Sequence, residues 1–395
     1  MTFHSVFENE GPLSILETID SEVVLKSEAI FQTDKFEIAI SKPSFHSLDA
    51  YAVLTTEYIY ILKTVPKLSN DKMYLNVRFR LHLRWMRLAQ IHHTTNRYNG
   101  CKFGITLCKR SRSLNLATEN YEIYRKWLHD LQPLVLHNNF MDKYKIKEFI
   151  GSGATSKVYR VADISTRQNF ACKRLKKERM GNFMFFKMVV NEISLLTKLR
   201  DCNEISRLIE VHESANSVYI ITELLEGGRT TKQNTKYPPE EIYALTQNLL
   251  GALKKLDDRG IVHRDLKPGN IILKYSNVSI DKNVIKLIDF GFSIETTASK
   301  PVLLDMACGT MGYVPPDILR SNYKNVDYSS WDMYSAGIII YNAMTGLRLF
   351  NDSDDKVQLE LNKASVIDFN NSDFVDYPRG CKLNSSESYQ RHVGT

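Results

Sequence analysis

Several features that would send this sequence elsewhere are missing from it. Its six cysteines, at 101, 108, 172, 202, 308 and 381, form no C-x-x-C pair, and no histidine cluster stands at a metal-ligand spacing. They read as reduced intracellular thiols. Residues 1–22 alternate acidic and apolar side chains without a basic start, an apolar core or a small-residue cleavage site, so secretion is not expected. The most apolar stretch, 336–343, is interrupted by Gly337, Tyr341 and Asn342 and falls far short of the roughly 20 residues a bilayer span needs. No transmembrane helix is expected. Charge of one sign is scarce as well: 52 basic against 45 acidic residues leave a net +7 spread over 395 positions, the pattern of a solvated mixed surface. With no RNP, zinc-finger or helix-turn-helix signature beside the basic residues, a nucleic-acid partner is not expected either.

What is present suits a multidomain α+β protein, since 43% hydrophobic and 25% charged residues supply enough apolar surface for two packed cores. From 23 to 108, short β-branched and apolar runs such as 50–55, 58–63 and 103–107 alternate with polar breaks, which predicts an antiparallel sheet. After Thr118 the period changes. Tyr121, Tyr124, Leu128 and Leu131 recur at helical steps with Trp127 beside them, and Glu119 and Glu122 fall in the first turn.

Strands followed by one Trp-bearing helix resemble the pleckstrin-homology domain over 23–135, a β-sandwich or barrel closed by a C-terminal helix. The resemblance implies docking to a phosphoinositide headgroup or to a protein. Lipid binding in that family uses basic residues at the first two strands, but here Ser47-Leu48-Asp49-Ala50 brings an aspartate, leaving Lys35 and Lys42 as substitutes. Arg78, Arg80, His82 and Arg84 alternate along one strand and share a face, which is either a phosphate or acidic-peptide patch or a plain solvent face. A polar linker over 136–143 is expected to lead into a second domain, 144–378.

That domain opens on Ile150-Gly151-Ser152-Gly153-Ala154-Thr155-Ser156-Lys157-Val158, a glycine loop between apolar runs whose backbone N–H groups can fold over phosphates. Alone it is equally an ordinary hairpin turn. Phe170-Ala171-Cys172-Lys173 then ends an apolar strand on a lysine, and Glu192 follows in a helical segment, so the two can form an ion pair that holds the ammonium at phosphate oxygens. The decisive run is His263-Arg264-Asp265-Leu266-Lys267-Pro268-Gly269-Asn270, which matches H-R-D-L-x-x-x-N.

From Tyr144 onward the chain resembles the protein kinases, nearest in style to the calcium/calmodulin-kinase-like branch. The resemblance implies a two-lobed fold, β-rich then α-rich, with ATP and Mg2+ between the lobes. It implies that Asp265 accepts or orients the proton of the substrate hydroxyl, that Lys267 neutralises the transferred phosphoryl group, and that Asn270 binds one Mg2+. Asp289 of Asp289-Phe290-Gly291 is the second implied Mg2+ ligand. The adenine site is expected around Thr222, with Glu223 and Leu225 offering backbone groups. The Thr310 hydroxyl is expected to bridge Asp265 and Lys267, which with Lys267 favours serine and threonine acceptors. Asp332 is expected to pin the catalytic loop, and Arg264 to meet a phosphate on Thr296, Thr297 or Ser299.

The sequence departs from the family pattern in four places. Ser156 replaces the third glycine of the loop; Pro315-Pro316-Asp317 carries Asp where the family has Glu, with no candidate arginine partner. After 357–369 the chain turns Ser-, Asn- and Asp-rich, so the C-lobe is expected to be truncated and 379–395 to be a disordered tail. Arg229 and Gly269 stand where members preferring an upstream arginine have carboxylates. The reading is therefore a cytoplasmic serine/threonine kinase acting on protein substrates, peripheral to a membrane if its first domain takes a lipid. The alternative is a pseudokinase adaptor silenced by the short C-lobe.

Overall fold

In the computed structural model the described residues are 22–26, 30–40, 48–83, 85–96, 100–109, 112–153, 156–231, 235–296, 308–321, 330–350 and 352–367, with Phe7, 17–19 and Tyr328. They form two compact units, Met1–Gly181 with Leu208–Glu223, and Asn182–Arg207 with Leu224–Thr395.

The first unit begins with the strands β1 (Glu17–Thr18), β2 (Val23–Lys26), β3 (Ile30–Ile40), β4 (Leu48–Thr55), β5 (Tyr58–Leu62), β6 (Lys67–Ser69), β7 (Lys72–Leu75), β8 (Val77–His82), β9 (Arg87–Asn96), β10 (Gly100–Lys109) and β11 (Arg112–Thr118), followed by helix α1 (Tyr121–Leu131). Alternation sets which side is buried: Val77, Phe79 and Leu81 face the core while Arg78, Arg80 and His82 face the other way. Helix α1 starts where Asn120 accepts hydrogen bonds from the Glu122 and Ile123 backbone N–H groups. It seats Trp127, fully buried, against Phe36 with the ring centroids 4.8 Å apart, and the indole N–H donates to Asp34 at 2.7 Å. Tyr121, counted in the helical stripe, stays exposed at the first turn.

Two of the basic side chains singled out on this domain, Arg80 and Lys35, already have acidic partners. Arg80 pairs with Glu17 at 2.6 Å and lies over the Tyr58 ring, and Lys35 pairs with Asp49 at 3.1 Å. Lys42 and Arg84 lie outside the described residues.

Residues 136–143 are folded rather than a linker. Strand β12 (Leu136–His137) runs parallel to β9, and helix α2 (Phe140–Lys143) follows it. Leu136 and Phe140 are both about 2% exposed, so two apolar anchors within a polar-looking stretch fix it to the sheet. Beyond come β13 (Tyr144–Ser152), β14 (Lys157–Asp163), β15 (Asn169–Lys176), β16 (Leu208–Glu213) and β17 (Ser217–Glu223). Because β12 also pairs with β16, one 14-stranded sheet runs from the N-terminal strands into this set. Phe140 stacks on Tyr219 at 4.0 Å within the core formed with Tyr144, Val161, Phe170 and Ile221.

Two buried acids reinforce the join. Glu213 receives Arg87 of β9 at 2.7 Å and Lys177 at 2.8 Å. Glu210 receives the Tyr144 hydroxyl, His212 at 2.8 Å and Lys143 at 2.8 Å.

The second unit is mainly helical: α3 (Phe183–Lys198), α4 (Pro239–Asp257), α5 (Pro316–Arg320), α6 (Trp331–Thr345) and α7 (Asp355–Ala364) surround the short strands β18 (Ile261–Val262), β19 (Ile271–Leu273), β20 (Ile285–Leu287) and β21 (Ile294–Glu295). Helix α6 buries most of its faces, and ends at Gly346 in the left-handed region at φ 74°, where a Cβ would stand 3.2 Å from the Thr235 backbone. Asp317, expected to lack an arginine, meets Arg320 at 3.3 Å one turn later, and Arg320 also donates to the Lys363 carbonyl. The stretch 371–395, and with it the expected tail, lies outside the described residues. Among the described residues no helix is long and apolar enough to cross a membrane.

Candidate active site

The loop between β18 and β19 is held from behind by Asp332 on α6. Its two carboxylate oxygens accept the backbone N–H groups of His263 at 2.7 Å and Arg264 at 3.0 Å. Burial pushes the Asp332 carboxyl above its ordinary range, and the two donors oppose that rise. His263 donates from Nε2 to the Ile288 carbonyl at 3.0 Å and accepts the Asp265 N–H on Nδ1 at 3.3 Å, which places its ring proton on Nε2. Arg264 is fully buried, with φ at 64°. Its Nε–H donates to the Phe292 carbonyl at 2.8 Å, and its guanidinium lies 5.7 Å from the Tyr328 ring and 5.8 Å from that of Trp331.

This scaffold presents Asp265 to a tight polar ring. Lys267 Nζ donates to Asp265 Oδ2 at 2.9 Å and to Thr310 Oγ1 at 2.7 Å, and the Thr310 hydroxyl donates to Asp265 Oδ1 at 2.6 Å. The Asn270 amide N–H group donates to the Asp265 carbonyl at 2.8 Å and to its Oδ2 at 3.0 Å. Thr310 is delivered by Gly309, whose φ is 94° and where a Cβ would come within 2.8 Å of Val314 and 3.0 Å of the Arg264 carbonyl. The strand end before Asp289 is drawn alongside, because the Ile288 N–H donates to the Asn270 carbonyl at 3.0 Å. Asp289 itself adopts φ 65°, a left-handed conformation uncommon outside glycine. Nearby, burial lifts the Cys308 thiol to about 11 despite the Arg264 charge, so it stays protonated at neutral pH.

The profile of the protein kinase domain matches residues 144–388, more than half of the chain. The chain belongs to the protein kinase family. It is 34% identical over 216 residues to CBL-interacting protein kinase 24 of Oryza sativa subsp. japonica, covering 54% of this chain and 45% of that protein. It is 33% identical over 222 residues to human serine/threonine-protein kinase H1, covering 55% and 49% respectively. A putative ribosomal protein S6 kinase alpha-1 of Caenorhabditis elegans matches at 29% over 251 residues, 62% of this chain and 30% of that protein. The matched stretch thus spans half or less of each of these relatives.

Within this kinase domain, Asp265, Lys267, Asn270 and Thr310 stand together as described. In the other unit the glycine loop joins β13 to β14, with the Gly153 N–H donating to the Ser156 carbonyl at 3.1 Å and Ser156 buried. Gly151 opens onto free space, a Cβ there meeting nothing within 4 Å. Ile150 and Lys157 are exposed, Ser152 too, and Val158 is half-buried; Ala154 and Thr155 lie outside the described residues. Ala171 and Lys173 sit half-buried on β15, and Thr222 and Glu223 end β17. Glu192 is buried on α3, and Leu225 is half-buried in the second unit. Of the hydroxyls expected to present a phosphate to Arg264, Thr296 donates to the Gly260 carbonyl at 3.0 Å, while Thr297 and Ser299 lie outside the described residues.

Two asparagines escaped sequence reasoning. Asn191, beside Glu192 on α3, directs its amide N–H group at the carbonyls of Phe290, Gly291 and Ser293, at 3.1, 3.3 and 2.7 Å. Asn362 on α7 is fully buried, accepts the Gly312 N–H at 2.8 Å and donates to the Val314 carbonyl at 3.0 Å. Neither is marked by a motif: Asn191 is a lone amide in a largely apolar helix, and Asn362 stands among polar residues of α7. An Asn191→Leu variant is expected to lose about 1–3 kcal/mol of stability, because buried carbonyls are left without their donor. Thermal melting measures the loss, and hydrogen exchange should locate it at 290–293; an unchanged melt would deny Asn191 this role.

Proposed function

We propose that the chain is an ATP- and Mg2+-dependent protein kinase that phosphorylates serine and threonine residues of proteins. The reading is carried by the ring of Asp265, Lys267 and Thr310, in which one carboxylate is held by a cation and a hydroxyl at 2.9 and 2.6 Å. A carboxylate so held can accept the proton of a substrate hydroxyl placed against it, and the Lys267 ammonium stands ready to balance negative charge arriving at the same point. Proton and phosphoryl charge are then handled by separate groups.

The residues present suit Mg·ATP. Because Asn270 commits its amide N–H group to Asp265, its Oδ1 remains as a hard oxygen donor; Asp289 supplies a second. Two oxygen donors completed by phosphates and water are what Mg2+ takes. Mg·ATP when bound brings the phosphoryl group and the cation that screens it. We assign nucleotide binding to residues 150–158, Ala171, Lys173, Glu192, Glu223, Leu225 and Asp289, with the Lys173 ammonium and the Glu192 carboxylate read as the pair that holds phosphate oxygens. The N-terminal domain we read as a pleckstrin-homology-like docking module for lipid or protein, and the ion pairs of Lys35 and Arg80 weigh against a phosphoinositide.

The test is transfer of labelled γ-phosphate from Mg·ATP to peptides that differ only in carrying serine, threonine or tyrosine. Serine and threonine peptides are expected to be labelled well above the tyrosine peptide. A folded preparation that labels none of them, nor itself, would overturn the assignment.

A further inference from the structure

Beside the catalytic ring the second unit contains a cavity of about 390 Å³. Lys267 and Thr310 form one wall, so whatever occupies the cavity lies next to the position where an acceptor hydroxyl must reach Asp265. Three cations line it: Arg229, Lys267 and Arg348. The Lys267 ammonium is engaged by Asp265 at 2.9 Å, so among the described residues the two guanidinium groups carry the rest of its positive charge. Both arginines are exposed, and the Arg348 charge acts on the hydroxyl of Tyr313, another wall residue, so it is felt at the cavity surface. Among the described residues no aspartate or glutamate lines the cavity; the other polar contributors are neutral, among them Asn342 and Gln358.

A recess with two arginines and no carboxylate repels a basic side chain and suits an anionic one, since guanidinium groups bind carboxylate or phosphate by paired charge-assisted hydrogen bonds. We propose that this cavity selects protein substrates with an anionic side chain, carboxylate or phosphoryl, close to the acceptor residue, and that Arg229 and Arg348 determine that specificity. The proposal rests on the kinase reading for its location but makes a separate claim, that an acidic segment binds here.

The test uses the full chain and one serine peptide series, in which the flanking positions carry alanine, glutamate, phosphoserine or arginine in turn. Binding is followed by fluorescence anisotropy of the labelled peptides without nucleotide, and phosphotransfer is followed separately. Glutamate peptides are expected to bind about tenfold more tightly than alanine peptides, phosphoserine peptides more tightly still if a phosphate is the natural occupant, and arginine peptides most weakly. In phosphotransfer the preference should appear in KM. Arg229→Ala and Arg348→Ala should each erode it, and the double replacement by Glu should invert it in favour of arginine; because both side chains are exposed, folding should survive. Arg348→Lys should restore part of the preference for glutamate.

Equal binding of glutamate and alanine peptides, or a preference untouched by the double variant, overturns the proposal even if phosphate is transferred efficiently. Arginine-dependent loss of acidic-peptide binding without any phosphotransfer sustains the anion site and removes the kinase reading instead.

Discussion

Asp265→Asn is expected to lower phosphotransfer by about 10²–10⁴-fold, the usual contribution of a positioned proton acceptor, with the fold intact. The substitution is nearly isosteric, and the ring can survive it. An asparagine oxygen at the Oδ2 position still accepts from Lys267 and Asn270, which stand at 2.9 and 3.0 Å, while its NH2 group faces Thr310 Oγ1. What disappears is the carboxylate's capacity to take a proton. A rate measurement paired with a thermal melt separates the two effects: an unchanged melt with lost turnover assigns the proton to Asp265, whereas turnover within a fewfold of the parent would mean that another group accepts it.

How much of this was legible beforehand differs between contiguous and distributed features. The run from His263 to Asn270 is a single stretch whose members act on one another, so reading it locates Asp265, Lys267 and Asn270 together. Thr310 and Asp332 could be added because each sits in its own short recognisable segment. Asn191 and Asn362 could not, since one amide on a helix carries no pattern, and its importance arises from carbonyls about 50 to 100 residues away in sequence. The same limit applies to charge. Alternation along β8 indicated that Arg78, Arg80 and His82 share a face, but not that Glu17, 63 residues earlier, neutralises Arg80. The stretch 136–143 reads as a linker because its polar residues dominate. Leu136 and Phe140, too few to establish a periodic pattern, are sufficient to anchor it.

That anchoring has an electrostatic half centred on Glu210, and its removal is expected to be strongly destabilising. The carboxylate is fully buried on β16, and three of its partners come from the connecting stretch and the start of β13: the Tyr144 hydroxyl, Lys143 at 2.8 Å and His137 at 3.8 Å. Burial alone would raise its pKa, yet the hydrogen bond from His212 and the neighbouring positive charge outweigh it and hold the carboxyl well below the usual carboxylate range. Burial at the same time pulls His137 below its ordinary value, which favours its neutral form, while Lys143 supplies a cation at 2.8 Å. Glu210→Ala strands the buried Tyr144 hydroxyl and unpairs Lys143; because Lys143 reaches water, the cost should be about 2–4 kcal/mol, under the roughly 3–5 of a fully enclosed pair. The sign with pH follows from the depressed value. A carboxyl more acidic in the folded than in the unfolded chain stabilises the fold above its unfolded pKa of about 4, and that contribution drains away as pH falls toward the folded value. The melting temperature of Glu210→Gln should therefore lie several degrees below the parent's at pH 7, with the gap closing below about pH 4. A gap that stayed constant across that range would show that packing, not the charge on Glu210, joins the N-terminal strands to those of the kinase domain.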